Sequence, residues 1–333
     1  MMRSPHKIGR ICSTPSATRS CATSGLVFHA ATLGVPSMAN DTITAVGDVS
    51  VGHYTDSDAM TGVTVITFRE PNVGIVDVRG GAPGTREMAI FGDAIKAVTV
   101  NALVFAGGSA FGLAAADGVV AVLEAEGKGA PTPTGPVPIV PTAILYDLMV
   151  GESDVRPTAA NGRSAYLARS SEAVAMGSVG AGTGATVGKL AGFEHSTASG
   201  IGSSSLRVGD ATVGALVALN AVGDVYSLSG DRLTGSERSD RLAHEALGFA
   251  QSTTLIAIAT DAILDRNDMR RMAVRAHDAL GATVRPAHTR YDGDTAFAVS
   301  SEVHEADIDG IVEAAFVSVA SSIERAIEHA SRR

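Results

Sequence analysis

Two strand-like runs in this chain, residues 211–219 and 255–260, consist almost entirely of apolar side chains. A strand of this kind has no polar face to turn toward water, so it is buried on both faces of its sheet. Such strands need a helix layer or another sheet on each side. The two runs therefore predict a layered α/β fold and exclude a single sheet with one solvated face.

Other segments supply the remaining layers. Further runs rich in Val, Ile and Thr predict strands at residues 63–68, 73–78, 98–105 and 295–300. Apolar residues that recur at steps of three and four predict helices at residues 110–126, 158–170, 265–280 and 308–329. The charged segment 230–251 has no strand pattern, and we expect an exposed connector there. It ends where a buried strand begins.

Composition excludes several classes of protein. With 333 residues, 45% hydrophobic and 18% charged, the chain is neither disordered nor collagen-like. Its length suffices for a core without disulfides, metals or a cofactor. The net charge of −9 repels phosphates and attracts cationic amines, so nucleic acid and anionic membranes are not expected partners. A run of 18 apolar residues, which a membrane span requires, does not occur.

The first 38 residues differ from the rest. They hold four basic residues, no acidic residue and both cysteines, Cys12 and Cys21. A secretory signal is one interpretation, but its apolar stretch at 25–33 is interrupted by His29. A disordered leader, or a mis-annotated start upstream of Met38, fits better. Residues 39–333 then contain no cysteine, which indicates a cytoplasmic protein and excludes thiol catalysis.

The glycine-rich stretch 177–189, GSVGAGTGATVGK, suggests a phosphate loop. A Walker motif fails because Thr183 and Leu190 stand where it needs Gly and Ser or Thr. The stretch fits the loose dinucleotide pattern, but a poor helix follows and the acidic residue expected about 20 residues later is missing. Two alternatives stay open: a tight packing loop, or a loop that lines a catalytic pocket with Lys189 projecting into it.

Familiar catalytic patterns are incomplete in this chain. His-Glu pairs at 244–245 and 304–305 begin a zincin motif, but Gly248 and Ile308 replace the second histidine. The turn at Ser109 lacks the last glycine of a nucleophile elbow. No spacing suggests a histidine partner for the serines at 203–205. The sequence supports neither a metal site nor a Ser-His-Asp hydrolase.

Polar residues stand at the ends of three predicted core strands. Asn220 follows the run at 211–219, Thr253 precedes the run at 255–260, and Asp292 and Asp294 open the run at 295–300. Each has an ordinary explanation as well. Asn forms turns, Asp-Gly forms hairpins, and threonine favours strands. Taken singly, none indicates a function.

Eight segments, in order, resemble one known family. It is the self-cleaving aminopeptidase family of the L-aminopeptidase D-amidase/esterases, the β-peptidyl aminopeptidases and the endo-type nylon-oligomer hydrolases. The segments that carry the resemblance are DVRGGAPGTRE (77–87), LVFAGGSAFGLAAADGV (103–119), GPVPIVPTAILYDL (135–148), VRPTAANGR (155–163), GSVGAGTGATVGK (177–189), TVGALVALNAVGD (212–224), TTLIAIATDA (253–262) and RPAHTRYDGDTAFAV (285–299). The resemblance covers essentially everything after Met38.

This resemblance implies a four-layer αββα sandwich of the N-terminal-nucleophile type, with residues 39–333 as one catalytic domain. It implies a precursor that cuts itself between Ser252 and Thr253, giving an α chain that ends at 252 and a β chain of 253–333. Thr253 would then be the nucleophile. The family's assemblies imply a homo-oligomer of αβ units.

By position in the family motifs, the resemblance also implies the roles of five further residues. Asn220 would donate its amide hydrogen to the oxyanion. Tyr146 and Lys189 would surround the nucleophile, and Asp292 and Asp294 would hold its amine and hydroxyl.

Elementary chemistry agrees with such a nucleophile. A threonine hydroxyl needs a base beside it, and a free α-amine with a pKa of about 7.7–8.0 supplies one on the same residue. Ser252 departs from the Asn or Gly usual before the scissile bond, so we expect slower cleavage. The predicted function is an amide hydrolase acting on small peptides, amino-acid amides or short oligoamides. Alternatives are an acyltransferase like the ornithine acetyltransferases, or an uncleaved, non-catalytic binding protein.

Overall fold

The structure, a computed structural model, describes residues 40–92, 98–234 and 252–331. The expected leader with both cysteines lies outside these ranges, as does most of the expected connector at 230–251, including His244 and Glu245. Those expectations therefore stay predictions.

The described chain contains fifteen strands and four α-helices. In chain order they are β1 Ser50–Asp56, β2 Thr61–Thr67, β3 Val73–Val78, β4 Thr85–Arg86, β5 Leu103–Ala106, β6 Thr142–Ile144, β7 Thr186–Val187, β8 Thr197–Ala198, β9 Ile201–Val208, β10 Ala211–Ala218, β11 Asp224–Tyr226, β12 Arg232–Thr234, β13 Leu255–Ala262, β14 Val284–Arg285 and β15 Thr295–His304. The α-helices are α1 Ala115–Ala125, α2 Ala159–Leu167, α3 Arg266–Thr283 and α4 Ile308–Glu328. Short 3-10 helices span Ile43–Ala45, Met88–Phe91, Ser109–Ala114, Gly180–Gly182 and Phe193–His195.

Two five-stranded sheets dominate the fold. The first has the order β1-β2-β5-β6-β4, and the second has the order β3-β15-β13-β10-β9. Each is antiparallel except for one parallel pair, β5 with β6 in the first sheet and β13 with β15 in the second. The parallel pair in the second sheet matters for function, because parallel neighbours begin at the same edge of a sheet.

Because side chains alternate along the strands, the core consists of three buried clusters, one between the two sheets and one between each sheet and its helices. Phe105 of the first sheet and Ala257 and Phe297 of the second share one buried cluster, so the two sheets face each other. Their neighbours point the other way: Val104 packs with helices α1 and α2, and Ile256 packs with α3 and α4. The layers are thus helix, sheet, sheet, helix. This confirms the αββα sandwich, and it explains why β10 and β13 carry apolar residues on both faces.

Most predicted elements occur, and their boundaries show what the patterns missed. Residues 98–102 stay outside β5, because the Val100 N–H donates to Asn72 Oδ1 instead of to a neighbouring strand. The helix predicted at 110–126 begins as the 3-10 helix Ser109–Ala114, and α2 is shorter than its prediction at both ends. Within 230–251, the described residues include the short strand β12, which the connector prediction missed.

Two features of other protein classes are not found in the part of the chain that the structure describes. None of its helices combines the length and the apolar character needed to cross a membrane. Its His, Cys, Asp and Glu residues form no group of three or more that would suit a metal ion.

Candidate active site

The topology of the second sheet places four of the predicted site residues, Thr253, Asn220, Asp292 and Asp294, at one sheet edge. β13 and β15 are parallel, with Leu255 opposite Thr295 and Ser252 opposite Asp292, so the segment 252–254 runs beside 292–294 and Thr253 lies beside Gly293. β10 is antiparallel to β13, with Ala218 opposite Leu255, so Asn220, two residues beyond the end of β10, reaches the same edge. Strand order and register therefore explain how residues up to 74 positions apart meet.

The bond between Ser252 and Thr253 lies at the centre of this edge. Thr253 Oγ1 donates a hydrogen bond to the carbonyl oxygen of Ser252 at 2.6 Å. The same oxygen accepts the Gly293 N–H at 2.8 Å. The Thr253 N–H donates to the backbone oxygen of Asn220 at 2.7 Å. The hydroxyl therefore lies against the carbonyl that it would attack, and a backbone donor already binds that carbonyl's oxygen.

Lys189 brings a buried amine to the residue before this bond. Its Nζ donates to Asn220 Oδ1 at 2.8 Å and to Ser252 Oγ at 2.9 Å. Burial lowers the pKa of Lys189 to about 7, although the charge of Asp292 opposes the shift. The glycine-rich stretch is thus placed as a loop that brings Lys189 into the site. Its 3-10 turn Gly180–Gly182 is also tightly packed against Gly200.

Asn220 organises its neighbours with both ends of its side chain. Its Oδ1 accepts from Lys189 Nζ and from the Thr186 N–H, and its Nδ2 donates to the Tyr146 carbonyl at 2.9 Å. In the uncut chain this amide does not donate to the Ser252 oxygen, where the Gly293 N–H is the donor instead. Its role toward a substrate oxyanion stays a prediction. Tyr146 is half-buried and meets this network through its backbone carbonyl.

Asp292 braces the loop around the Ser252–Thr253 bond. One oxygen accepts the N–H and the hydroxyl of Thr289 at 2.9 and 2.5 Å, and the other accepts the Val222 N–H at 3.3 Å. Burial, together with the charge of Asp294, raises the pKa of Asp292 to about 6. A carboxyl with such a pKa changes charge near neutrality.

Asp294 is buried on the other side of Gly293. Its Oδ1 accepts the Thr254 N–H at 2.8 Å, and its Oδ2 accepts both the backbone N–H and the ring Nδ1 of His288 at 2.9 Å. Asp294 thus contacts the backbone beside Thr253, whereas Asp292 binds the neighbouring loops through Thr289 and Val222. Direct binding of the threonine amine and hydroxyl by these acids stays a prediction for the cleaved form.

All six predicted site residues lie in one hydrogen-bonded network, and two residues that were not predicted, Gly293 and His288, also belong to it. A Cβ on Gly293 would lie 2.6 Å from Thr253 Oγ1, so only glycine lets this loop approach the hydroxyl. Its signal is the glycine between two acids, a pattern that an Asp-Gly hairpin turn explains equally well. His288 had no signal of its own, because its bond to Asp294 depends on the folded loop.

The model of peptidase family S58 matches residues 41–332. This chain belongs to peptidase family S58. An uncharacterized aminopeptidase of Mycobacterium leprae is 41% identical over an alignment of 300 positions that covers 80% of each chain. A 6-aminohexanoate-oligomer endohydrolase of Kocuria sp. is 30% identical over 270 residues, 76% of this chain and 73% of that one.

Two solved aminopeptidase structures superpose on this chain, in agreement with its membership of the family. A β-aminopeptidase of Burkholderia sp. superposes with a TM-score of 0.64 at 26% identity, covering 90% of this chain and 88% of that one. The L-aminopeptidase D-Ala-esterase/amidase of Ochrobactrum anthropi, described as a variant of the Ntn hydrolase fold, gives 0.70 at 21% identity over 88% of each chain. This member of the family is therefore a hydrolase of peptide or amide bonds with an N-terminal-nucleophile-type fold.

Proposed function

We propose that this chain is an amide hydrolase whose nucleophile is Thr253, set free by self-cleavage of the Ser252–Thr253 bond. The observation that carries the proposal is the position of the Thr253 hydroxyl, 2.6 Å from the carbonyl oxygen of Ser252, with the Gly293 N–H on the same oxygen. A hydroxyl next to its own preceding carbonyl, with a donor for the developing charge, is the arrangement that an N-to-O acyl shift requires.

Cleavage proceeds in two balanced steps. In the first step Thr253 Oγ1 bonds to the Ser252 carbonyl carbon, and the peptide bond between Ser252 and Thr253 breaks. The hydroxyl proton is transferred to the Thr253 nitrogen, which becomes an amine. Water then hydrolyses the ester, which leaves a carboxylate on Ser252 and restores the hydroxyl. The Gly293 N–H stabilises the oxyanion of both steps, and one such donor typically contributes about 3–4 kcal/mol.

After cleavage the same residue holds both nucleophile and base. The Thr253 nitrogen already donates to the Asn220 backbone oxygen, and that contact holds the new amine near its own hydroxyl. In its neutral form this amine takes the hydroxyl proton when Oγ1 attacks a substrate carbonyl. Buried Lys189 supplies a positive charge near the reacting carbonyl when it is protonated.

The proposed substrates are small peptides, amino-acid amides and short oligoamides with a free amino end. The similarity to an aminopeptidase and to an endohydrolase of 6-aminohexanoate oligomers supports this range. The net charge of −9 attracts cationic substrates and disfavours nucleic acid and anionic membranes. A cytoplasmic location and an oligomer of αβ units complete the proposal.

The test compares two neighbouring threonines. Thr253→Ala removes the attacking hydroxyl, so we expect an uncut, inactive chain on a denaturing gel. Thr254→Ala is the matched control. Within the described residues the buried Thr254 Oγ1 has no hydrogen-bond partner, so this variant keeps cleavage and turnover. Cleavage that survives Thr253→Ala contradicts the proposal. If the acyl group is transferred to an added amine instead of to water, the acyltransferase alternative is favoured.

A further inference from the structure

His288 is tied to the site by two bonds to a single carboxylate oxygen. Both its backbone N–H and its ring Nδ1 lie 2.9 Å from Asp294 Oδ2, while Asp294 Oδ1 accepts the Thr254 N–H. The imidazole is thus linked through one carboxylate to the backbone amide next to Thr253. It touches neither Thr253 nor Ser252 directly.

The backbone at His288 is held in an uncommon conformation. Its φ is +57°, in the left-handed region that non-glycine residues seldom adopt. Conformations of this kind persist where the surroundings fix them, and they concentrate at functional sites. Here the two bonds to Asp294 fix both the backbone and the ring, so the loop delivers this imidazole to the carboxylate.

Few other charged groups face this imidazole. From α3, the His277 ring packs edge-on with a centroid distance of 4.8 Å, and its Nε2 lies 3.0 Å from the Asp77 carbonyl oxygen. From the end of β3, Arg79 pairs with the Asp77 carboxylate at 3.1 Å. Asp294 is the acid in direct contact, and Asp292 lies two residues before it.

We propose that His288 is a positioning residue for the nucleophile: its imidazolium holds the Asp294 carboxylate in the orientation that fixes the Thr254 amide, and so fixes Thr253. This rests on the function proposed above. Asp294 accepts three hydrogen bonds, and the two from His288 decide where its second oxygen lies. A charge-assisted bond is about twice as strong as a neutral one, so the protonated ring holds the carboxylate more firmly.

Charge balance supports the same inference. The site buries two carboxylates, Asp292 and Asp294, beside a single lysine, Lys189. Burial lowers the pKa of His288, but the hydrogen bond and charge of Asp294 outweigh burial and leave this pKa above its usual 6.5. Burial and the neighbouring His288 lower the pKa of His277 instead. Of the two histidines, His288 therefore carries the charge.

Two substitutions separate the hydrogen bond from the charge. His288→Asn keeps a neutral donor, and asparagine tolerates the left-handed backbone, but it carries no charge. His288→Ala removes donor and charge together. His304→Asn is the matched control, because His304 ends β15, nine residues beyond Thr295. The full chain is made by cell-free translation, and its self-cleavage is timed on denaturing gels from pH 6 to 9.

The precursor is suited to this readout because it has no free Thr253 amine to titrate. We expect wild type to cut about tenfold faster than His288→Asn at pH 6, where the ring is charged, and this ratio to fall toward one as the pH rises and the ring loses its proton. Lys189 and Asp292 titrate in both proteins, so their effects cancel in the ratio. His288→Ala cuts at least tenfold more slowly than wild type at pH 6, and the His304 control matches wild type throughout.

A wild-type to His288→Asn ratio that stays constant from pH 6 to 9 overturns this proposal, as does a His288→Ala chain with wild-type cleavage. Should His288→Ala fail to fold, the pH ratio of His288→Asn still decides. Thr253→Ala, run in parallel, separates the two proposals. If it stays uncut while the ratio is constant, only the role of His288 is wrong, whereas cleavage of Thr253→Ala removes both.

Discussion

Lys189 combines a high cost of burial with a central place in the site. Its Nζ is removed from water and bonded to Asn220 Oδ1 and Ser252 Oγ, two neutral oxygens that compensate a charge only in part. That explains a pKa of about 7 in place of 10.5. A group of this kind reduces stability and is retained where chemistry uses it. At Lys189 the protein therefore has a lower free energy of unfolding than an apolar residue would give, and it keeps a reactive amine in the site.

Lys189→Met tests that trade-off. The folded chain binds fewer protons at Lys189 than the unfolded chain between pH 7 and 10.5, so the free energy of unfolding rises with pH across that window. Methionine removes both the free-energy cost of burying the amine and the pH dependence of the free energy of unfolding that Lys189 causes. In the uncut Thr253→Ala background we expect a Tm at pH 7 about 5 °C higher, measured by calorimetry. In the otherwise native chain the substitution abolishes cleavage. An unchanged pH slope contradicts the account.

The family resemblance could predict which side chains gather at the site, but the sequence could not predict how they pair. Asn220 and Thr253 stand next to apolar runs, so their place at strand ends follows from the sequence. Loop conformation decides the pairing: Asn220 donates to the Tyr146 carbonyl, and Gly293 supplies the donor to the Ser252 oxygen. No one-dimensional pattern records loop conformation.

Among the elements, the contact between β9 and α4 depends on one glycine. A Cβ on Gly202 would lie 1.8 Å from the Ser322 carbonyl oxygen of α4. The apolar stripe of α4 was clear in the sequence, whereas β9 was not, because its serines and Gly202 conceal a buried strand. Small residues let a helix pack closely against a strand, but they do not produce the hydrophobic pattern by which a buried strand is recognised in a sequence.

Gly202→Ala should therefore push α4 away from the second sheet. Overpacking of this kind costs about 1–3 kcal/mol, so we expect a Tm lower by roughly 2–5 °C in thermal unfolding. Gly281→Ala, in α3, is the matched control, because nothing lies within 4 Å of its added Cβ. It should leave the Tm unchanged or raise it, since alanine favours helix. Equal Tm values for the two variants would refute this account of the contact.

Across the whole molecule, the proposed cut divides the chain without dividing the fold. β13, which would begin the new β chain, pairs with β10 of the α chain on one side and with β15 of its own chain on the other. All eight of its residues are buried. The layered architecture that the apolar runs predicted is therefore also what would hold the two products together.

The two products should stay associated after cleavage. We expect them to co-elute in gel filtration at the volume of the uncut Thr253→Ala chain, and to separate only in denaturant. Separate elution under native conditions would show that the sheet does not survive the cut.

Intact mass measurement of purified, aged protein, with N-terminal sequencing of the smaller species, tests the central claim most directly. The account predicts two masses, one of them a fragment that begins TTLIAIATDA and ends at Arg333. A single full-length mass in a preparation that hydrolyses amide substrates would contradict it, because Thr253 would then have no free amine with which to act.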